Sequence, residues 1–258
     1  MQTFLASLVP FLPFLFLASL RVGIVLASLP APFGSGAPVR IRVALGLFIT
    51  LAICSPYWDS APAIAIDPIV LGRAALGELL VGAVIGLTVR VTLAAAEVAG
   101  NLAGMSMGQG FAGSVDPSFG EQMLPVGRLF SSLTILIFFA LEGHHVTLAA
   151  LAWSLQRAPV GDALHAGIHT GVVEIAGGLV ARGLRIASPI VAAMFIVQLG
   201  MGLVARAAPR VQVFSLTFAI TSAVGALVLL ASAPAVTAAL AESVGELPAQ
   251  LRLALGGG

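Results

Sequence analysis

The chain has 258 residues, 59% of them hydrophobic and only 9% charged, with a mean hydropathy of +1.08, where a soluble domain carries about 25% charged residues. That composition describes an integral membrane protein. All 12 basic residues are arginine and 11 acids nearly balance them, which excludes a basic face for nucleic acid, and the lone Cys54 allows no disulfide within the chain.

Met1 to Leu20 carries no charge, so the basic region that opens a secretory signal is missing and Phe4–Leu29 is predicted to be a retained membrane helix, bent near Pro10 and Pro13. Arg21 within it is expected either inside the helix bundle or reaching for an interface. Further apolar segments follow at Val39–Ser55, Ile69–Gly104, Leu129–Leu155, Ile186–Ala205 and Val211–Ala233. Each is near the roughly 20 residues that cross the hydrocarbon, so the predicted fold class is all-α, a multi-helix integral membrane protein. Pro30–Pro38 and Pro56–Pro68 read as connecting loops, the second with Trp58 and Asp59 at an interface. Arg40 with Arg42, and Arg206 with Arg210, fall in loops on the same side of six spans, a side the positive-inside rule makes cytoplasmic. Val160–Arg185 is more mixed and reads as an amphipathic helical stretch. The tail over residues 243–258 is expected to be weakly ordered, its final glycines frayed.

The stretch Gly100–Arg128, GNLAGMSMGQGFAGSVDPSFGEQMLPVGR, interrupts this apolar pattern. Thr92, Ala96, Gly100 and Gly104 lie four apart on one helical ridge, and Gly82 and Gly86 form a second such pair, the spacing that lets another helix come close. After Gly108 the helix is predicted to fail at Gly110, Gly113, Pro117 and Gly120. A loop with so many backbone polar groups cannot face lipid and must be enclosed by protein or line a wet cavity. Met105, Met107, Phe111, Phe119 and Met123 supply compliant apolar groups. Met105, Met107 and Phe111 among them either suit the sealing of a pore or anchor the loop to its own bundle.

Charges within apolar segments each cost at least ~2.5 kcal/mol at bilayer depth unless paired or wetted. The set is Glu78, Arg90, Glu97 and Glu142. Arg90 and Glu97 share a face but are separated by roughly 10.5 Å of rise, so each is expected to meet a partner on another helix or subunit; a proton relay would line several acids along one path, and these are scattered. His144 and His145 are about 100° apart on a helix and do not share a face. Asp162, His165 and His169 do, in passable metal-ligand geometry, although Gly161 and Gly167 weaken the helix that would hold them. No phosphate-loop, nucleophile-elbow, zinc-protease or dinucleotide fingerprint is present, so neither an enzyme nor a cofactor is predicted.

Four blocks taken together carry a family resemblance: GMSMGQGFAGSVDP at Gly104–Pro117, PVGR at Pro125–Arg128, FFALEGHH at Phe138–His145, and GLRIASPIVAAMFIVQLGMGLVARAAPRVQVF at Gly183–Phe214. In this order and spacing the chain, from about Leu20 to Leu230, resembles the FliR family of flagellar biosynthetic proteins, which includes the T components of type III secretion injectisomes. Met107–Ala112 looks like the flagellar branch. Two departures are Thr217-Phe218-Ala219, where a Gly-Phe-Pro is common, and Arg210, where Gln is common; the first puts in doubt a break in the last apolar helix.

The resemblance implies a single export-gate membrane domain over residues 1–258, a subunit of the flagellar export gate in the bacterial inner membrane at the flagellar basal body. It implies helical hairpins lifted partly out of the bilayer plane and built into a hetero-oligomeric ring with FliP-like and FliQ-like subunits, with FlhB-like and FlhA-like components as further partners and unfolded flagellar proteins as substrates. It also implies that the loop 105–127 is a channel plug, with Met105, Met107, Gly108, Gly110, Phe111, Gly113, Asp116 and Pro117 as its residues. The alternative function is a small secondary transporter, which inverted repeats and paired broken helices would favour; only one broken segment is visible in the sequence.

Overall fold

The computed structural model describes residues 2–30, 38–57, 64, 67–110, 124–162, 170–207 and 213–256. All regular structure among them is helical. The helices are α1 (Gln2–Ser28), α2 (Val39–Cys54), α3 (Pro68–Ser106), α4 (Pro125–Ala140), α5 (Gly143–Arg157), α6 (Thr170–Gly177), α7 (Leu179–Ala207), α8 (Val213–Gly245) and α9 (Leu247–Ala254). Five helices or helix runs are long and apolar enough to cross a membrane, six if α4 and α5 count together as one broken span. The fold is therefore all-α and multi-pass.

The differences from the predicted segments have local causes. α1 is one helix through Pro10 and Pro13, as predicted, and begins two residues earlier, at Gln2. The fourth apolar segment breaks at Leu141–Glu142, where Glu142 takes a left-handed backbone with φ of 55°, a conformation rare away from glycine. α7 starts before Ile186 and absorbs Pro189; proline has no N–H to give the Arg185 carbonyl, and Ser188 Oγ donates to that carbonyl instead at 2.8 Å. α8 runs unbroken from Val213 past Thr217-Phe218-Ala219 and through Pro234 to Gly245.

The helices group into two compact units. The first takes residues 1–91, 142–177 and 246–258. Phe11, Phe14, Leu17 and Ala18 of α1 are buried there with Cys54, Ala74, Leu155 and Val160, Cys54 behaving as a small hydrophobe. The tail, expected to be loose, carries α9, whose Leu247 and Leu251 are buried and which packs on α5 and α6. The second unit takes residues 92–141 and 178–245. Its core sets Ala95, Ala96, Ala99 and Ala103 of α3 against Phe130 of α4, Ile186, Ile190 and Met194 of α7, and Leu240 of α8. The run of alanines lets neighbouring helices approach closely. A Cβ placed on Gly183 of α7 would stand 2.7 Å from Val98 Cγ1.

Candidate functional site

The glycine-rich loop starts from a well-defined helix end. In the last turn of α3 the amide of Gly108 donates to the Met105 carbonyl and that of Gln109 to the Gly104 carbonyl, both at 3.0 Å. With Gly108 at φ of 82°, this is the paired-hydrogen-bond cap in which a left-handed glycine closes a helix. Gln198 of α7 reaches the same end and donates from Nε2 to the Ser106 carbonyl at 2.7 Å. The two methionines divide: Met105 is 63% exposed and Met107 only 2%. Met107 lies against Gly225 of α8, where a Cβ would stand 2.6 Å from Met107 Cγ.

The loop's return is fixed on the same two turns of α3. Asn101 Oδ1 accepts the Leu124 amide at 3.2 Å, and Pro125 opens α4, where its missing N–H costs nothing. A Cβ on Gly100 would stand 2.6 Å from Gly127 Cα, and one on Gly104 would stand 3.1 Å from Leu124 Cδ1. The small-residue ridge of α3 therefore receives the start of α4 from its own chain. Phe111, Gly113, Asp116 and Pro117 lie outside the described residues, while Gly110 has open space around it.

A glycine-capped helix end, followed along the chain by Pro-Val-Gly-Arg and the long α7, is the arrangement of the resemblance blocks, and the family described as bacterial export proteins, family 1, matches residues 12–247. The chain belongs to that family. It is 32% identical to a flagellar biosynthetic protein FliR of Pectobacterium carotovorum over 74% of this chain and 72% of that one. It is 27% identical to the FliR of Escherichia coli K12, over 83% and 82%, and 29% identical to the Yop proteins translocation protein T of Yersinia pestis, over 72% of each. Membership in the export family displaces the secondary-transporter reading.

The export-family chain handles its membrane charges in three ways. Glu78 is paired inside the chain: Arg21 Nε donates to Glu78 Oε2 at 2.6 Å, with both side chains fully buried. The same guanidinium donates from Nη1 to Ser154 Oγ at 3.0 Å and from Nη2 to the Ala158 carbonyl at 2.8 Å. Glu78 Oε1 accepts the Gly161 amide at 3.1 Å. One closed set thus ties α1, α3, the end of α5 and the following turn, and it satisfies the groups a buried ion pair leaves over. Arg90 is exposed and Glu97 half-buried on α3, and neither makes an ion pair with a described residue. Glu142 lies outside the apolar helices altogether, because the left-handed turn carries it out between α4 and α5, with Oε2 3.5 Å from His145 Nδ1 and both side chains largely exposed.

Gly82 and Gly86 serve the buried pair. A Cβ on Gly82 would stand 2.8 Å from the Arg21 carbonyl, and one on Gly86 would collide with Ser28 Oγ, so α1 crosses α3 at the level where Arg21 meets Glu78. The His144 and His145 rings lie with centroids 4.2 Å apart. His165 and His169 lie outside the described residues, leaving Asp162 as the described member of that trio. Sequence reasoning did not find Asn101, Gln198 or Gly225. Gly225 was the most legible of them, as an isolated glycine in a long apolar helix.

Proposed function

We propose that the chain is a subunit of the flagellar type III secretion export gate and helps form the inner-membrane channel for unfolded flagellar proteins, with no catalytic chemistry of its own. In this reading residues 1–258 act as one export-gate domain, FliP-like and FliQ-like membrane subunits are its neighbours in the ring, and FlhB-like and FlhA-like components join the assembly. The segment from Met105 to Glu121, which begins in the last turn of α3, is its plug. The observation that carries the reading is the anchoring of both loop ends on α3, through the Gly108 cap, Gln198 and Asn101. An anchored base is what a seal needs if its tip is to move while its position holds.

The anchoring also divides the methionines by role. Met107 is a core group that holds the base, and Met105, exposed beside it, is the sealing group together with Phe111, closing the channel by excluding water. The test is made on the assembled complex. Deleting Gly110–Val115, or replacing Met105 and Phe111 with Ser, raises membrane ion conductance while the chain still co-purifies with FliP-like and FliQ-like subunits. Conductance at background in an assembled complex overturns the plug; recovery of the chain without those partners overturns the gate assignment itself.

A further inference from the structure

A cleft between α1 and α2 has the build of a lipid site. It encloses about 300 Å³ and is lined by Gly23, Leu26 and Ala27 of α1 and by Arg42, Val43 and Gly46 of α2, among others. Gly23 has no atom within 4 Å of where its Cβ would stand, which keeps the cleft open along α1. The hydroxyl of Ser19, at its far end, is already spent on the Phe16 carbonyl at 2.6 Å. Val39, Val43 and Leu47 flank the mouth and are exposed.

The polar feature of this apolar cleft is Arg42. Its Nε is shut off from solvent and finds no hydrogen-bond acceptor among the described residues. A buried, unsatisfied donor on a cation is uncommon and points to an anion that completes it. None of the described lining residues is acidic, so none of them competes for the guanidinium. Arg42 also lies within the first turn of α2, which has no side-chain cap, and a helix N-terminus adds a positive field.

The geometry points to an anionic phospholipid held in this cleft, with its phosphate on Arg42 and an acyl chain along Gly23, Ala27 and Gly46. Apart from Arg42 and Ser19 the described lining is apolar, which an extended acyl chain lying along the small residues satisfies. A single cation at one end of an otherwise apolar trough matches an amphiphile with one charged head. The site is independent of the plug reading, since it lies on other helices.

The test uses the full-length protein in the complex in which it is recovered, exchanged into neutral detergent and examined by native mass spectrometry with added phosphatidylglycerol or phosphatidylcholine. Phosphatidylglycerol is retained in preference to phosphatidylcholine, inorganic phosphate does not displace it, and Arg42→Gln weakens retention about tenfold or more, the range for a hydrogen bond to a charged group. Arg40→Gln leaves retention unchanged, since Arg40 is exposed and stands about 200° around the helix from Arg42. Gly23→Leu, which fills open space, also expels the lipid with the arginine intact. Equal retention by wild type and Arg42→Gln, or equal retention of the two lipids, overturns the site. A photo-crosslinker placed at Gly23 in cells forms a lipid adduct; a protein adduct there instead assigns the cleft to a partner subunit and also overturns it.

Discussion

Replacing Glu78 with Leu leaves the Arg21 guanidinium buried without its carboxylate, at a site where both side chains are fully enclosed. Of its bonds, those to Ser154 Oγ and the Ala158 carbonyl remain, but neither carries a compensating charge, and the Gly161 amide loses its acceptor. Removing one member of a buried pair costs about 3–5 kcal/mol, a fall of roughly 10² to 10⁴ in the folded-to-unfolded ratio at about 1.4 kcal/mol per factor of ten. The double variant Arg21→Met with Glu78→Leu removes both charges and fills the volume with apolar side chains. It regains most of that loss, because desolvating the pair offsets much of its attraction. The assay is denaturant or thermal unfolding of the purified chain in detergent for wild type, both singles and the double, analysed as a cycle. Additive single losses in the double, or a Glu78→Leu loss below about 1 kcal/mol, would refute the argument that the pair is a closed unit.

Gly100→Leu drives a side chain into the backbone of Gly127, where a Cβ alone already stands 2.6 Å from Cα; overpacking costs about 1–3 kcal/mol or more, and the yield of assembled complex should collapse in co-purification. Gly225→Ala displaces the Met107 side chain by the same reasoning and lowers the melting temperature, and adding Met107→Ala restores part of it, which unfolding of both variants checks. Exchanging Arg90 and Glu97 for one another does not rescue the complex yield of either single variant, because neither pairs within the described chain and each is expected to meet a different partner; rescue by the swap shows that they pair with each other.

How far the sequence could be read depends on the range of each interaction. The end of α3 was legible because the Gly108 cap closes within five residues, so spacing alone located it. Glu78 and Arg21 were each visible as charges that apolar segments must accommodate, but their pairing spans 57 residues, and no local pattern states which helix crosses which. The split between Met105 and Met107 is of the same kind. One residue separates them, they are chemically identical, and the packing of α8, with Gly225 against Met107, puts one in the core and leaves the other out. Glu142 marks another limit: the apolar run breaks at this residue, which takes a positive φ although it is not glycine, and Gly143 beside it was not read as the break.

The helix lengths bear on how this chain sits in its assembly. At 1.5 Å per residue, the 39 residues of α3 extend about 58 Å, and even at a tilt of 40°, the upper end for membrane helices, they project about 44 Å onto the bilayer normal. The hydrocarbon is about 30 Å thick. One end of α3, or part of both, therefore lies beyond it. The 33 residues of α8 extend about 50 Å and meet the same limit when upright. Yet the start of α3 is apolar and exposed at Ile69 and Val70. Apolar surface that reaches past the hydrocarbon is stable only if protein covers it. A helix longer than the hydrocarbon therefore needs protein cover at its apolar ends, which other components of the export apparatus can supply.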